Sequence, residues 1–483
     1  MRKKMKKNAR LHIVTPLLLA AGCLLTAGDD YLDITPDGQL KRSELLKSAE
    51  GIEDALYGTY AKLRTNSLYG QELSYQSLEV MAHTMECPGN NAISALGQHN
   101  YNYSSVKTMF EQMWTEMYAN ISNANSILSA NLIASADAGD FPYNIYKGEA
   151  LGLRAFMHFD LMRLFTDQIT HNPQAGGIPY ATDFSLFTPD FEPAADNYRH
   201  VIADLREAER LLADEQQYQE KSNFMKDRQT HFNLYAVKAT LARVYLTMGR
   251  RDSALAYAKD VIEHSPYRLT EKTEVAGDLA GILSRKETIW GVYWASFYQN
   301  VSAKLQQTTS YYSLNPRTDV IDIYNQDIDG LDYRQTAYFS YTDMGGTQRL
   351  RLSKLTDIYE LQNITSSRPA DLILGINMIR LPEMYYICAE ALLDSDYDQA
   401  VAYFDAVLEH RGLTPLAQRA TNGQLTQERI NLERFKEYIG EGQTFFNLKR
   451  QQLPLTADDG QTWQPGSDVY TIPIPEIEYS NRY

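Results

Sequence analysis

Cysteine is nearly missing: Cys23, Cys87 and Cys388 are the only three in 483 residues. Three thiols cannot build a disulfide framework or a thiolate zinc site. Basic residues are in deficit, with 46 Lys and Arg against 61 Asp and Glu and a net charge of −15. Nonspecific nucleic-acid binding depends on cationic neutralisation of phosphates, so that class is not expected. Beyond the N-terminal segment, no apolar run approaches the ~18 residues that a membrane-spanning helix needs. Catalytic signatures are absent as well: there is no H-E-x-x-H, no Gly-rich phosphate loop, no G-x-S-x-G and no C-x-x-C. No cofactor and no metal is implied, and an enzyme is not expected. With 61 acids, chance carboxylate pairs are inevitable and do not by themselves suggest glycoside hydrolysis. Tryptophan is scarce, at 4 residues, and phenylalanine modest at 16, but tyrosine reaches 34. A tyrosine offers an apolar ring and a polar tip, which suits wet recognition surfaces.

The N-terminus reads as an address. Arg2, Lys3, Lys4, Lys6, Lys7 and Arg10 precede an apolar run from Leu11 to Ala27 that Pro16 interrupts. That is the basic and apolar order of an export signal, here assigned to residues 1–28. Ala20-Ala21-Gly22-Cys23 resembles a lipoprotein processing box, which makes Cys23 the candidate lipidation residue.

The body reads as helix pairs. From Asn233 to Pro266, Leu234, Val237, Leu241, Tyr245 and Met248 recur at three- and four-residue spacing. Gly249 marks a stop, Asp252 a new start, and Leu255, Ala258, Val261 and Ile262 a second stripe. Leu241, Ala242, Tyr245, Ala254 and Pro266 fall at tetratricopeptide spacing. Weaker pairs are expected over Ile376–Leu393 with Tyr397–His410, Ile145–Phe165 with Ala195–Leu212, and Lys41–Arg64 with Lys107–Leu132. One pair cannot bury its own apolar face, so stacking is required. The expected fold is mainly α: a tetratricopeptide-like helical-repeat scaffold of about four helix pairs. Trp114 and Tyr118 fall on a helical stripe and read as core, Cys388 as a buried thiol and His158 as a satisfied helical histidine.

Irregular insertions interrupt the scaffold at about 66–104, 166–192 and 268–375, rich in Gly, Pro, Asn and Tyr. Such insertions often carry binding function. From Ile289 to Tyr341 aromatics reach about twice the chain-wide 11%. Sugar rings present C–H faces that lie on flat aromatic rings, while their hydroxyls need directional polar partners. His99, Tyr101 and Tyr103 in the first insertion combine these types, as do Trp294, Tyr298, Asn300, Tyr311 and Tyr312 in the third. These eight are the candidate ligand-binding residues. Asp327, Asp329 and Asp332 have the oxygen-rich look of a calcium loop but lack its spacing and terminal Glu, and read as an acidic turn.

Several segments, in order, resemble the SusD/RagB family of outer-membrane nutrient-uptake lipoproteins of Bacteroidetes. They are Asp29-Asp30-Tyr31-Leu32, Gly148-Glu149-Ala150-Leu151 through Phe156, Gly176-Gly177-Ile178-Pro179, Ile379-Arg380-Leu381-Pro382-Glu383, Glu433-Arg434, Gly440-Glu441-Gly442 and Phe445-Phe446-Asn447-Leu448. The resemblance implies a single domain over 29–483 and a lipid-anchored protein exposed on the outer-membrane surface. It also implies a partner, a TonB-dependent (SusC-like) transporter, and capture of an oligosaccharide or polysaccharide. A peptide-capturing lid and a structural adaptor that binds no nutrient are the alternatives. The family usually places its lipidated Cys directly before the Asp-Asp-Tyr-Leu run; Gly28 stands there, so either Cys23 serves or the anchor is unusual. Gln443 stands where the family often has Arg.

Overall fold

The computed structural model describes residues 45–89, 91–130, 143–185, 189–218, 223–271, 283–305, 313–326, 328–343, 346–355, 373–421, 423–480 and 482. Four helix pairs form its frame. They are α1 (Ala49–Leu63) with α2 (Ser104–Leu128), α3 (Tyr143–Phe165) with α4 (Ala194–Leu212), α5 (Leu234–Thr247) with α6 (Arg251–His264), and α7 (Leu381–Leu392) with α8 (Tyr397–His410). Each helix packs on the next, and α6 meets α7 across the long third insertion. Two further helices, α9 (Gln427–Tyr438) and α10 (Gln443–Gln451), close the C-terminal side. The mainly α, tetratricopeptide-like reading therefore stands.

Local chemistry sets the boundaries. Asn233 caps α5, its Oδ1 accepting from the N–H groups of Tyr235 and Ala236. Gly249, at φ +71°, turns the chain between α5 and α6. Helix α1 starts at Ala49, where Ser48 Oγ accepts from Gly51 N–H at 3.0 Å; residues 41–44 of the expected helix lie outside the described residues.

Helix α3 is the axle. Ile145 and the whole run from Gly148 to Phe165 are buried, so its apolar stripe is only part of what it hides. Gly148 and Gly152 let neighbours come close: a Cβ at Gly148 would overlap Leu212, and one at Gly152 would overlap the Phe232 ring. The buried polar side chains of α3 all find partners, as buried groups must. Arg154 forks onto Asp204 at 2.8 and 2.7 Å, and Asp160 accepts from Tyr69 Oη at 2.7 Å. His158 is fully buried. Its Nδ1 lies 2.9 Å from the Arg154 carbonyl and its Nε2 accepts from Ala181 N–H, which defines a neutral ring.

That ring gives a pH prediction. Burial, reinforced by Arg154, pushes the His158 pKa down from 6.5 to about 3. Between these values the unfolded chain binds a proton that the native chain refuses. Stability is thus fully present above about pH 6.5 and lost as pH falls toward 3. His83 and His99, pushed down to about 4 and about 3 chiefly by burial, act with the same sign. Thermal midpoints measured from pH 7 to pH 4 should fall, and His158→Gln should make the decline shallower. A slope identical to that of the parent protein would rule the mechanism out.

One boundary differs from expectation. Residues 375–380 form a strand, not the first turns of a helix. Strand β1 (Thr288–Tyr293) pairs antiparallel with β4 (Gly375–Arg380), and α7 follows with Pro382 in its first turn. A separate hairpin, β2 (Phe339–Asp343) and β3 (Gln348–Leu352), lies between them in sequence. Trp290 on β1 is fully buried, its ring centroid 4.8 Å from Phe156 of α3 and 4.7 Å from Phe232.

The C-terminal core holds a buried ion network. Asp332, Glu287, Glu433, Glu437 and Glu441 face Arg334, Lys354, Arg380, Arg411 and Lys436, five acids against five bases. Glu437 is central: Arg380 reaches it at 2.6 Å, Arg411 at 2.9 Å and Arg334 at 3.2 Å. Burial alone would raise its pKa, but Arg411 and Arg380 outweigh burial and hold it well below the usual carboxylate range. Asp332, part of the acidic turn, is spent here, capping Arg334 N–H and pairing with that side chain at 2.7 Å.

Candidate functional site

Among the described residues, two sizeable cavities open at the surface. The larger, about 690 Å³, lies between α9, α10 and residues 317–326 and 453–456. The other, about 560 Å³, lies between α1, residues 223–231 and the end of β1. We take the smaller as the recognition groove, because two flat rings flank it in the open. Tyr57 is 45% exposed and Tyr293 52%.

Helix α1 supplies one wall. Its buried stripe is Ile52, Leu56, Tyr60 and Leu63, which leaves Tyr57 and Arg64 facing outward beside it. Tyr57 is steadied edge-on by Phe224 at 5.5 Å and His231 at 5.9 Å. Arg64 Nη1 donates to the Tyr293 carbonyl at 3.2 Å, joining α1 to the end of β1. The second wall carries Asn223, Lys226, Asp227 and Thr230, which put hydroxyl, amide, ammonium and carboxylate groups around the rings. Asp227 holds a left-handed backbone, φ 49°, and pairs with Arg285 at 2.7 Å.

The floor is rigid. Glu149, fully buried on α3, accepts from Tyr60 Oη at 2.7 Å and from Arg228 Nη1 at 2.6 Å, and lies 3.3 Å from His231 Nδ1. Burial would raise the Glu149 pKa; Arg228 and His231 overcome it, so the carboxylate stays ionised. Tyr60 Oη in turn accepts from Phe232 N–H at 2.7 Å. Among the described residues lining the groove there is no cysteine or serine nucleophile. The arrangement offers stacking faces and hydrogen-bonding groups on a fixed frame.

The expected site residues fall in two separate places. Trp294 follows Tyr293 directly, half-buried, with its ring 5.7 Å from Phe297. Tyr298 is half-buried on the short helix Phe297–Leu305. Asn300 spends its amide on the Gly70 carbonyl at 2.9 Å and Tyr75 Oη at 3.1 Å. None of these three lines the groove, although Trp294 is next in the chain to Tyr293, which does. His99 and Tyr101 pack elsewhere, against the C-terminal segment. His99 lies edge-on to Trp463 at 5.2 Å. Tyr101 is buried, its hydroxyl donating to the Val469 carbonyl, so it offers no open face. Tyr103 is exposed just ahead of α2. Tyr311, Tyr312 and Cys23 lie outside the described residues. The first insertion as a whole differs from an open loop. Residues 68–85 are buried, because Leu68, Leu73, Leu78 and Met81 join the core.

Sequence reasoning passed over Tyr57, Arg64, Asn223, Lys226 and Asp227. Tyr57 had a readable signal: it sits one position off the Leu56 stripe, where an aromatic ring gains nothing from the core. Residues 223–230 had none, since their closeness to α1 is tertiary.

Fold and groove together define a tetratricopeptide-like helical scaffold that carries an open, aromatic-walled recess. The chain belongs to the SusD family, which it matches over residues 216–473. Residues 30–246 match a related family described as starch-binding and associating with the outer membrane. SusD-like protein P2 of Formosa agariphila is 24% identical over 98% of this chain and 97% of that protein. Among solved structures, a SusD superfamily protein from Bacteroides thetaiotaomicron aligns with a TM-score of 0.74 and 24% identity. That alignment covers 90% of this chain and 98% of the other. A SusD-like carbohydrate binding protein from Bacteroides vulgatus aligns at 0.69 with 22% identity, over 90% and 96% of the two chains. These likenesses establish the fold. Among the described residues, no helix is long and apolar enough to cross a membrane.

Proposed function

We propose that this chain captures oligosaccharides at the outer face of the outer membrane and delivers them to a partner TonB-dependent transporter. Lipid attachment at Cys23 would hold it there. The observation that carries the glycan reading is the pair of exposed tyrosines, Tyr57 and Tyr293, flanking a polar recess of about 560 Å³. The description of the matching family as starch-binding, and of a Bacteroides vulgatus relative as carbohydrate binding, supports the same reading. Capture proceeds by laying sugar C–H faces on the two rings while Asn223, Asp227 and Arg64 meet hydroxyls. Trp294 and Tyr298 extend the platform along the chain from Tyr293.

Each ring contributes about 1 kcal/mol beyond burial, and each hydrogen bond nets about 1 kcal/mol. Affinity should then lie in the micromolar to millimolar range, about 4 to 8 kcal/mol, which allows release to a transporter. Tyr57→Ala and Tyr293→Ala should each weaken binding about five- to tenfold in calorimetry against soluble polysaccharides. Both sites lie at the surface, so the thermal midpoint should stay unchanged. Polysaccharide binding that is indifferent to both substitutions would displace the site. Binding to peptides alone would replace the cargo.

A further inference from the structure

Where α3, α5, α7, α9 and α10 converge lies a cavity of about 30 Å³, lined by Arg163, Arg243, Arg434, Arg450, Glu383 and Tyr438. Three of the four arginines have their own carboxylate. Arg163 Nε donates to Asp160 at 3.0 Å. Arg243 forks onto Glu383 at 2.7 and 2.6 Å, and Arg450 onto Glu390 at 2.6 and 2.8 Å. Arg434 has none. The nearest acid oxygen paired with it, Glu390 Oε2, is 3.7 Å away and already accepts from Arg450. Lys449, the next buried cation, has Asp167 as its opposite charge.

The donors around the cavity are unfilled. Arg434 Nε and Nη2, Arg243 Nη1 and the Tyr438 hydroxyl are buried without a hydrogen-bond partner. Arg434 is 8% exposed and Tyr438 3%. Four cations thus meet three carboxylates here, whereas the neighbouring network balances five against five. A buried charge without a counter-charge is costly, and so is each orphaned donor. Water would satisfy donors but leave the charge. The room suits a single water-sized guest, too little for a sugar or an organic acid. Access exists, because Arg434, Tyr438, Gln443 and Asn447 also line the open cavity between α9 and α10.

From this geometry we infer that the cavity is a binding site for one small monovalent inorganic anion of the halide class, held by Arg434, Arg243 and Tyr438. The anion completes the charge balance of the α5–α7–α9–α10 junction and makes stability depend on halide concentration, apart from general ionic strength.

The probes are bromide and chloride on the full mature chain. Crystals soaked in bromide should show an anomalous peak within hydrogen-bond reach of Arg434 and Tyr438. Thermal midpoints should rise saturably with sodium chloride but not with sodium gluconate of equal ionic strength. Tyr438→Phe, which keeps the ring, should raise the half-saturating chloride concentration at least about tenfold. Arg434→Met should abolish the halide-specific rise. Should that variant fail to fold, the Tyr438→Phe titration and the bromide peak still decide. Absence of anomalous signal, or equal midpoints in the two salts, overturns the inference and leaves a hydrated cavity. Neither result bears on the glycan groove, which lies on other elements.

Discussion

Replacing Glu437 with glutamine is expected to destabilise the fold by about 3–5 kcal/mol, despite near-identical shape. Three guanidinium groups converge on this one carboxylate, and none of them is exposed to water. Glutamine keeps an oxygen acceptor but removes the charge, leaving five buried cations against four acids. The cost is that of uncompensated charge, larger than the net worth of the pairs themselves. Urea unfolding should show a lower midpoint at unchanged slope. A companion change, Glu437→Gln with Arg411→Met, should recover part of the loss because it restores the count. If Glu437→Gln alone costs under about 1 kcal/mol, the network is hydrated and its charges are screened. Acid should mimic the substitution. The Glu437 pKa is depressed in the native state, so its contribution is complete above the unfolded value near 4.3 and is lost as pH falls below it.

The second large effect is expected at Trp290. Trp290→Ala should cost about 3–5 kcal/mol, through lost burial and the cavity left behind. The ring sits edge-on against Phe156 and Phe232, so it wedges strand β1 onto the axle helix. No hydrogen bond of the indole is lost, since its Nε1 is unpartnered. The consequence reaches the groove. Tyr293 lies three residues along β1, and its carbonyl takes the Arg64 bond. A loosened β1 should therefore weaken saccharide binding as well as stability, whereas Tyr293→Ala weakens binding alone. Measuring both quantities on both variants separates anchoring from contact. Trp290→Phe should retain most of both.

The frame was legible because helix pairs write themselves locally. The Leu234, Val237, Leu241, Tyr245 stripe, the Asn233 start and the Gly249 stop all lie within a few residues of what they specify. Strand β4 was not legible for the same reason. Ile376, Met378 and Ile379 read equally as strand or helix in so short a run, and the partner that decides, β1, lies some 90 residues earlier. The aromatic-rich stretch contains Tyr293, which flanks the groove. It did not distinguish outward rings from wedges: Trp290, Phe297, Tyr324 and Tyr338 from the same stretch are buried. The other half of the groove comes from α1 and residues 223–231, and only the fold brings those together. Charge balance was hidden too, because Arg411 finds Glu287 across 124 positions and Arg380 finds Glu437 across 57.

Residues 472–478 pack back onto α2 and α3. Ile472 N–H donates to the Leu164 carbonyl, Lys107 reaches Glu476 at 3.1 Å, and Trp114 Nε1 donates to Glu478 at 3.0 Å. The flank of α2 thus stays unsealed until residues more than 360 positions further along pack against it. Contacts closing loops of more than 360 residues form late and slowly. The flank of α2 is therefore expected to be among the last surfaces of the fold to close.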